Sequence, residues 1–461
     1  MDQSIIFDPE LIAKYDQSGP RYTSYPTAVE FHDRFTITDY QDACTRGNAA
    51  GRPLSLYLHI PFCDTVCFYC ACNKIATKDR SLTQPYLERV QHELALQAAL
   101  LDSKRLVTQL HWGGGTPTFI SHTEMQQLMD AIQHHFNLAE DAIGEYSIEI
   151  DPREASIDTI SLLRKLGFNR MSLGVQDFNP QVQKAVNRIQ SKAKTLEVLE
   201  AARNQGFRSI SFDIIYGLPL QTATSFAHTL EQVIELAPNR LSLFNYAHLP
   251  HMFPPQRRIA DANLPTPAVK LDILSTAINM LTAAGYVFIG MDHFARPDDE
   301  LAIAQRQGSL HRNFQGYSTH ANCDLVGLGV TSISIMDSTY SQNVKSLEPY
   351  YEALDKGQLP ILRGISLTRD DEIRRNIITQ LICHFELDFA AIEQRWGIIF
   401  VDYFATELDQ LRLMQTHGLL NLDQRGIQIQ PQGRLLIRNI CMVFDAYMAK
   451  KTDTKRFSKV I

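Results

Sequence analysis

Four of the eight cysteines of this 461-residue chain fall within ten positions. In "HIPFCDTVCFYCACNK" (59–74), Cys63, Cys67, Cys70 and Cys72 read C-x3-C-x2-C-x-C, with aromatic residues between them. In a reducing compartment, thiols crowded this way bind metal or react more often than they form disulfides. A structural zinc site has two ligand pairs well separated in sequence. No second pair exists here, because Cys44, Cys323, Cys383 and Cys441 are isolated. Cys67-Phe-Tyr-Cys70 also has the form of a redox C-x-x-C, but that motif normally opens a helix without extra thiols beside it. An iron–sulfur cluster tolerates the tight spacing, since one loop can wrap a cube of metal and sulfide. C-x3-C-x2-C then supplies three thiolates to four irons. One iron stays open to an outside ligand, much as a catalytic zinc keeps one position open. The isolated cysteines read as small buried hydrophobes.

A second chemical segment is "GGGTPT" (113–118). Three glycines let the backbone approach a ligand closely. The run lacks the G-x-G-x-x-G spacing of a dinucleotide fingerprint. Taken alone, it is more commonly a tight strand-to-helix turn.

These segments need elements to position them. Apolar, β-branched runs recur at 54 ("LSLYLHI"), 108 ("TQLHW"), 146 ("YSIEI"), 170 ("RMSLGV"), 209 ("SISFDIIYG"), 240 ("RLSLFNYAHL") and 286 ("YVFIGMDHF"). Between them, 84–100, 122–136, 155–166, 190–205, 222–236 and 267–284 have helical periodicity. Strands alternating with helices predict βαβ units and a parallel sheet. Six or seven units predict an α/β fold with a partial barrel; a complete one needs eight. Nearly every suggestive residue follows a strand end: the cysteines the first, "GGGTPT" the second, Glu149 the third and "GVQDF" (174–178) the fourth. Asp213 lies in the fifth, just before "YGLP". Parallel barrels build their active sites on that C-terminal rim, so the pattern predicts an enzyme.

Bulk properties narrow the setting. The chain is 44% hydrophobic and 21% charged, the composition of an ordinary soluble globular protein. Net charge −7 and pI near 6.1 give no electrostatic reason to expect nucleic acid or anionic membrane as partner. The first residues lack the basic start and apolar core of a signal peptide, and no apolar run approaches a membrane span. The expected setting is cytoplasmic. Residues 1–50, with the turn-rich "SGPRYTSYPTA" (18–28), are expected as an extension across the barrel mouth, and 51–345 as the barrel. After a linker at 346–363, residues 364–461 should form a helical, winged-helix-like domain with a hairpin at 419–433. Its many acids and lack of a basic stripe argue against DNA binding and for packing or a lid.

C-x3-C-x2-C in the loop after the first barrel strand resembles the radical S-adenosylmethionine (SAM) superfamily. The likeness sharpens over "SGPRYTSYPTA", "YLHIPFC", "CNKI", "QLHWGGGTPT", "SIEIDPRE", "GFNRMSLGVQDF", "DIIYGLP", "FNYAHLP", "GMDHFARPDDEL", "HRNFQGY", "GRLLIRNICM" and "FSKVI". Together these motifs resemble the oxygen-independent coproporphyrinogen III oxidase (dehydrogenase) family across essentially the whole chain. The resemblance implies oxidative decarboxylation of two propionates of coproporphyrinogen III to vinyls, giving protoporphyrinogen IX in anaerobic haem synthesis. It implies one [4Fe-4S] cluster with an open iron, two SAM molecules and 5′-deoxyadenosyl radicals made from them. A low-potential donor such as flavodoxin and a monomeric state follow from the same resemblance.

Residue by residue, Cys63, Cys67 and Cys70 match the cluster ligands, and Cys72 matches a further catalytic cysteine. Tyr57, Tyr69, Gly114, Gly115, Thr116, Glu149, Gln176, Arg188, Asp213, Ala247 and Ile333 match positions lining the two SAM molecules. The carboxylates suit ribose hydroxyls or the methionyl ammonium, and Arg188 suits a carboxylate. Because the implied substrate carries four carboxylates while the chain is acidic, local arginines must bind it. Arg21, Arg312 and the Arg257–Arg258 pair are candidates, although any one of them is as easily a solvated surface arginine. Two rival readings are a related haem chaperone, which lacks the fourth cysteine, and a non-catalytic iron–sulfur or porphyrin-binding protein. An electron carrier would ligate all its irons itself and would not need "GGGTPT".

Overall fold

The computed structural model describes residues 5–448. Six strands run parallel: β1 (Leu54–Ile60), β2 (Leu106–Gly114), β3 (Glu145–Ile150), β4 (Arg170–Gln176), β5 (Ser209–Tyr216) and β6 (Arg240–Asn245). Helices α1 (Thr83–Ala98), α2 (His122–His135), α3 (Ile157–Lys165), α4 (Lys192–Asn204), α5 (Ala223–Leu236) and α6 (Pro267–Ala283) alternate with them. These helices start where the chain supplies caps. Ser121 with Glu124, Ser156 with Thr159 and Thr222 with Ser225 form capping boxes, and Thr266 caps a helix opening on Pro267.

The expected 286–294 strand is a correction. It breaks into two short strands, β7 (Val287–Gly290) and β8 (His293–Ala295), which pair antiparallel. Gly290, at φ +141, forms the break, and β8 runs antiparallel to β6. The run therefore ends the parallel array instead of extending it. On the other flank, β9 (Asp324–Leu328) lies parallel to β1. Then β10 (Ile333–Met336), β11 (Thr339–Asn343) and β12 (Ile361–Ser366) follow as an antiparallel meander. The sheet order β7-β8-β6-β5-β4-β3-β2-β1-β9-β10-β11-β12 does not close on itself among the described residues, so the barrel is partial; His32 adds a single antiparallel bridge to Gly364 on the outer strand. Residues 346–363, read as a linker, carry a helix at Leu347–Asp355 and the start of β12.

The sheet's two faces differ sharply. Leu56, Leu58, Leu110, Trp112, Ile148, Leu173 and Phe212 are buried in the main core, with Trp112 edge-on to Phe168 at 4.9 Å. The alternate positions are polar: Ser55, Tyr57 and His59; Gln109, His111 and Gly113; Glu145, Ser147 and Glu149; Arg170 and Ser172; Ser211 and Asp213; Arg240 and Ser242. Period-two alternation puts each set on one face. At the N-terminal end this inner face is closed by hydrogen bonds. Gln109 joins Ser55 to Glu145, and Arg170 and Arg240 pair with Glu300. The C-terminal end is left to chemistry.

The C-terminal region holds helices Arg369–His384, Phe389–Trp396, Ala405–Thr416 and Ile437–Val443. A small sheet contains the expected hairpin, Leu420–Leu422 against Gly426–Ile429. The N-terminal arm packs on this region. Tyr15 meets His417 at 2.6 Å, Arg438 Nε donates to the Pro20 carbonyl at 2.9 Å, and Tyr22 OH donates to Asp445 at 3.0 Å. The closing "FSKVI" lies outside the described residues.

Candidate active site

The cysteine loop is pinned at both ends. Ile75 and Thr77 N–H groups donate to the Pro61 and Cys63 carbonyls at 2.7 and 2.9 Å, tying its exit to its entry. Its middle is held by Phe68 N–H on the Val186 carbonyl (2.9 Å) and the Asn187 amide on the Val66 carbonyl (2.9 Å). The buried Gln256 amide donates to the carbonyls of both Tyr69 (3.1 Å) and Ala247 (3.2 Å). The Arg258 guanidinium lies 5.2 Å from the Phe68 ring, and Arg257 Nε donates to the Pro250 carbonyl. That places the arginine pair beside the cysteine loop.

Donors surround the thiols. Thr116 Oγ1 lies 3.5 Å from Cys63 Sγ, while Arg188 Nη1 and Arg153 Nη2 lie 3.6 and 3.7 Å from Cys67 Sγ. A hydrogen bond with the Cys72 thiol, then the Lys74 ammonium, pulls the Cys70 thiol down despite burial. Burial pushes Cys63 up to about 11, with Thr116 opposing it. Cys63 and Cys67 are buried, Cys70 is half-buried and Cys72 is exposed. Among the described residues, no three His, Cys, Asp or Glu converge on a single metal ion. Three cysteines on one loop, with cations and hydroxyls aimed at their sulfurs, match the donor set of an iron–sulfur cluster.

The glycine segment abuts this loop. Gly115 and Thr116 N–H groups donate to the Ile60 and Phe62 carbonyls at 2.8 Å each, and Gly114 N–H donates to Glu149 at 3.1 Å. A Cβ on Gly115 would stand 2.7 Å from the Pro61 oxygen, and one on Gly114, at φ +120, would stand 2.8 Å from the His59 ring. The glycines are thus required by the close approach of β2 to the end of β1.

Glu149, at the end of β3, keeps 47% of its side chain exposed to the cleft. Desolvation raises its carboxyl, but the His111 ring and the Gly114 N–H outweigh this and hold it below its ordinary value. Tyr57 stacks on His111 at 5.8 Å and bonds to His59 Nδ1 at 3.1 Å. His59 Nε2 must donate to the Asn73 carbonyl at 3.0 Å, so Tyr57 OH is the donor to Nδ1. Burial keeps His59 below its ordinary value, and thus neutral. Asp213 accepts from Ser172 at 2.9 Å, and burial, followed by the charge of Glu149, pushes it up to about 6.

Arg188 bridges two strands and the cysteine loop. Its Nη2 donates to the Gly174 carbonyl at 2.6 Å and its Nη1 to Asp151 at 2.9 Å, while Nε is buried without a partner among the described residues. Asp151 also accepts from Arg153 at 2.7 Å. Gln176 ends β4 at φ +66, close behind Gly174. Tyr69 packs with the cluster of Val182, Val186, Ile215, Leu218, Tyr246 and Ile259.

Ala247 and Ile333 stand on opposite flanks. Ala247 follows β6, whereas Ile333 opens β10 against Gly327, the register partner of Tyr57. Arg21 is ion-paired with Asp292 at 2.6 Å. Arg312 is on the hairpin His311–Asn313/Gly316–Ser318. That hairpin borders a cavity of about 1010 Å³ shared with Tyr22, Ser55, Asp324 and Arg375. Ser55 and Asp324 lie at the starts of their strands, so the part of the cavity they border lies at the end opposite the cysteines.

Sequence reasoning assigned no role to His59, His111, Asp151, Arg153, Ser172 or Gln256. All but Arg153 and Gln256 sit in or beside the strands, and five of the six fall in or beside quoted motifs. The polar residue at every second strand position was the available signal. Gln256 lies in a short 3-10 helix, Pro254–Arg258, outside the strands, and offered none.

An open, mostly parallel α/β sheet with three cysteines after its first strand and a glycine segment beside them defines a radical SAM protein. The radical SAM superfamily profile matches residues 57–233, and the HemN C-terminal domain profile matches residues 367–436. The chain is 54% identical to the oxygen-independent coproporphyrinogen III oxidase of Pseudomonas aeruginosa, over 100% of both chains. It is 52% identical to that of Escherichia coli K12, over 100% of this chain and 99% of the other. The solved E. coli coproporphyrinogen III oxidase, HemN, described as a radical SAM enzyme, superposes with a TM-score of 0.92 at 51% identity. The match covers 96% of this chain and 100% of that one. The chain belongs to the family of oxygen-independent coproporphyrinogen III oxidases.

Proposed function

We propose that the chain oxidatively decarboxylates two propionate side chains of coproporphyrinogen III to vinyl groups, giving protoporphyrinogen IX without oxygen. The observation that carries this reading is the full-length likeness to enzymes of that name, joined to a three-cysteine loop that meets Arg188 and a neighbouring glycine segment that meets Glu149. When bound, the cluster and SAM supply a carbon-centred radical able to take a hydrogen atom. Each propionate loses a hydrogen atom from its β-carbon; the bond from its α-carbon to the carboxylate then breaks, the α–β double bond of the vinyl group forms, carbon dioxide leaves, and one electron passes to an acceptor.

The chain's residues hold and orient. Cys63, Cys67 and Cys70 would hold the cluster, with Thr116, Arg153 and Arg188 placed to stabilise their thiolates. Glu149, fixed by His111 and Gly114, accepts from SAM hydroxyls or its ammonium, as does Asp213. Arg188 Nε is a buried donor available to a SAM oxygen. Tyr57, Tyr69, Gly114, Gly115, Thr116, Gln176, Ala247 and Ile333 line two SAM molecules bound side by side. Arg21 and Arg312 are the arginines assigned to the substrate carboxylates. Cys72, the exposed thiol beside Cys70, acts in turnover without ligating iron. A flavodoxin-like donor supplies electrons to a cytoplasmic monomer. Among the described residues no helix is long and apolar enough to cross a membrane.

The test is anaerobic turnover of the reconstituted protein with dithionite, SAM and coproporphyrinogen III. Formation of 5′-deoxyadenosine and carbon dioxide is expected; the absence of both refutes the reading.

A further inference from the structure

The inner face of the sheet carries a second polar centre, two strands from Asp213. Ser242 on β6 stands opposite Asp213, and His293 on β8 stands opposite Ser242. His293 therefore projects to the same face as Asp213. Its ring lies edge-on to Phe244 at 6.1 Å and to Tyr317 at 5.2 Å. Arg312, cross-strand partner of Tyr317, holds its guanidinium carbon 4.7 Å from the Tyr317 ring centre. Arg312, Tyr317 and His293 thus form one stack leading to the inner face.

The stack is rigid. Tyr317 OH donates to the Ile382 carbonyl at 3.0 Å. A Cβ on Gly290 would stand 2.3 Å from that hydroxyl oxygen, so Tyr317 occupies the space that a larger residue would fill. Yet the stack ends in unmet hydrogen-bonding capacity. Arg312 is only 8% exposed, and among the described residues neither Nε nor Nη1 has a partner; His293 Nδ1 is buried without one there too. Burial, the Arg312 charge and Arg21 keep His293 neutral, pushed down to about 3, so one of its ring nitrogens donates and the other accepts. The nearby carboxylate, Asp292, is bound to Arg21 at 2.6 Å.

A buried guanidinium without an anion is expensive, whereas a carboxylate meeting its Nε/Nη2 edge takes up the buried Nε donor. Neutral donors and apolar rings alone would not call for an arginine here. We infer that Arg312 and His293 form a receptor for one carboxylate of the tetrapyrrole, held on Tyr317 and aligned along the inner face towards Asp213. This rests on the substrate being a tetracarboxylate. The receptor anchors a carboxylate while another propionate is presented to the cysteine rim, which would orient a ring bearing several similar side chains.

The test uses cluster-loaded full-length protein and the fluorescent probe coproporphyrin III, beside its uncharged tetramethyl ester in matched detergent. Parent protein should bind the acid more tightly than the ester. Arg312→Gln should weaken acid binding at least tenfold and erase most of that preference, Arg312→Lys should restore part of it, and His293→Phe should fall between. In turnover, the same variants should raise KM for coproporphyrinogen III more than they lower kcat. Unchanged acid-over-ester preference in folded Arg312→Gln and His293→Phe proteins overturns the receptor. If Arg312→Gln does not fold, the His293→Phe result decides. Failure of the parent to bind or turn over the acid overturns the proposed function instead, so the two failures are distinguishable.

Discussion

Arg188 Nη1 lies 3.6 Å from Cys67 Sγ and 2.9 Å from Asp151 Oδ2, so one buried guanidinium joins the cysteine loop to the end of β3. Arg188→Met removes that joint and leaves Asp151 with Arg153 alone. Breaking a buried ion pair costs about 3–5 kcal/mol, and the remaining arginine should hold the loss near about 2–3 kcal/mol. The denaturation midpoint of the cluster-free protein should fall accordingly, and reconstituted protein should show weaker cluster absorbance. An unchanged midpoint would mean that the joint carries no stability.

Replacing Cys63, Cys67 or Cys70 by Ser should abolish the visible absorbance of the reconstituted cluster. Cys72→Ser should keep the absorbance and lose turnover, since its thiol is exposed and bonds to Cys70. Loss of absorbance in Cys72→Ser would make it a ligand.

Gly115→Ala places a Cβ 2.7 Å from the Pro61 oxygen and 2.8 Å from the Phe62 oxygen, both backbone atoms. Overpacking of this kind costs about 1–3 kcal/mol. The strain falls on the contact between the glycine segment and the cysteine loop, so cluster retention after reconstitution should drop along with stability. A variant with parental retention would show that the two segments move independently.

Asp213 makes stability depend on pH in a defined direction. Its carboxyl is pushed up to about 6 from an ordinary 3.8, so the folded chain binds a proton that the unfolded chain has released. Stability from this group is present below about pH 4 and lost as pH rises through about 6. Asp213→Asn should therefore be more stable than the parent at pH 7.5, by about 1–3 kcal/mol, with the gap closing near pH 4. Chemical denaturation at the two pH values measures it. Equal stabilities at pH 7.5 would mean that the carboxylate is not strained by its surroundings.

The alternation of strands and helices was legible because β1 to β6 are apolar on the face that packs on helices. The run at 286–294 misled for a local reason: Gly290 at φ +141 bends a chain whose side chains read as one strand. Cys63, Cys67 and Cys70 were legible by spacing and Glu149 and Asp213 by position along their strands. The partners that tune them were not. Asp151 meets Arg188 across 37 positions of chain, and Gln256 reaches Tyr69 across 187. Such pairs are set by how strands stack in the sheet, which no single segment encodes. Arg21 was named by type alone; its ion pair with Asp292 appears only once the arm is folded onto the C-terminal region.

The most direct measurement counts carbon dioxide released per tetrapyrrole when the reconstituted protein consumes coproporphyrinogen III anaerobically. The account predicts two molecules per substrate, with a product carrying two new vinyl groups. SAM cleavage without any carbon dioxide would contradict it.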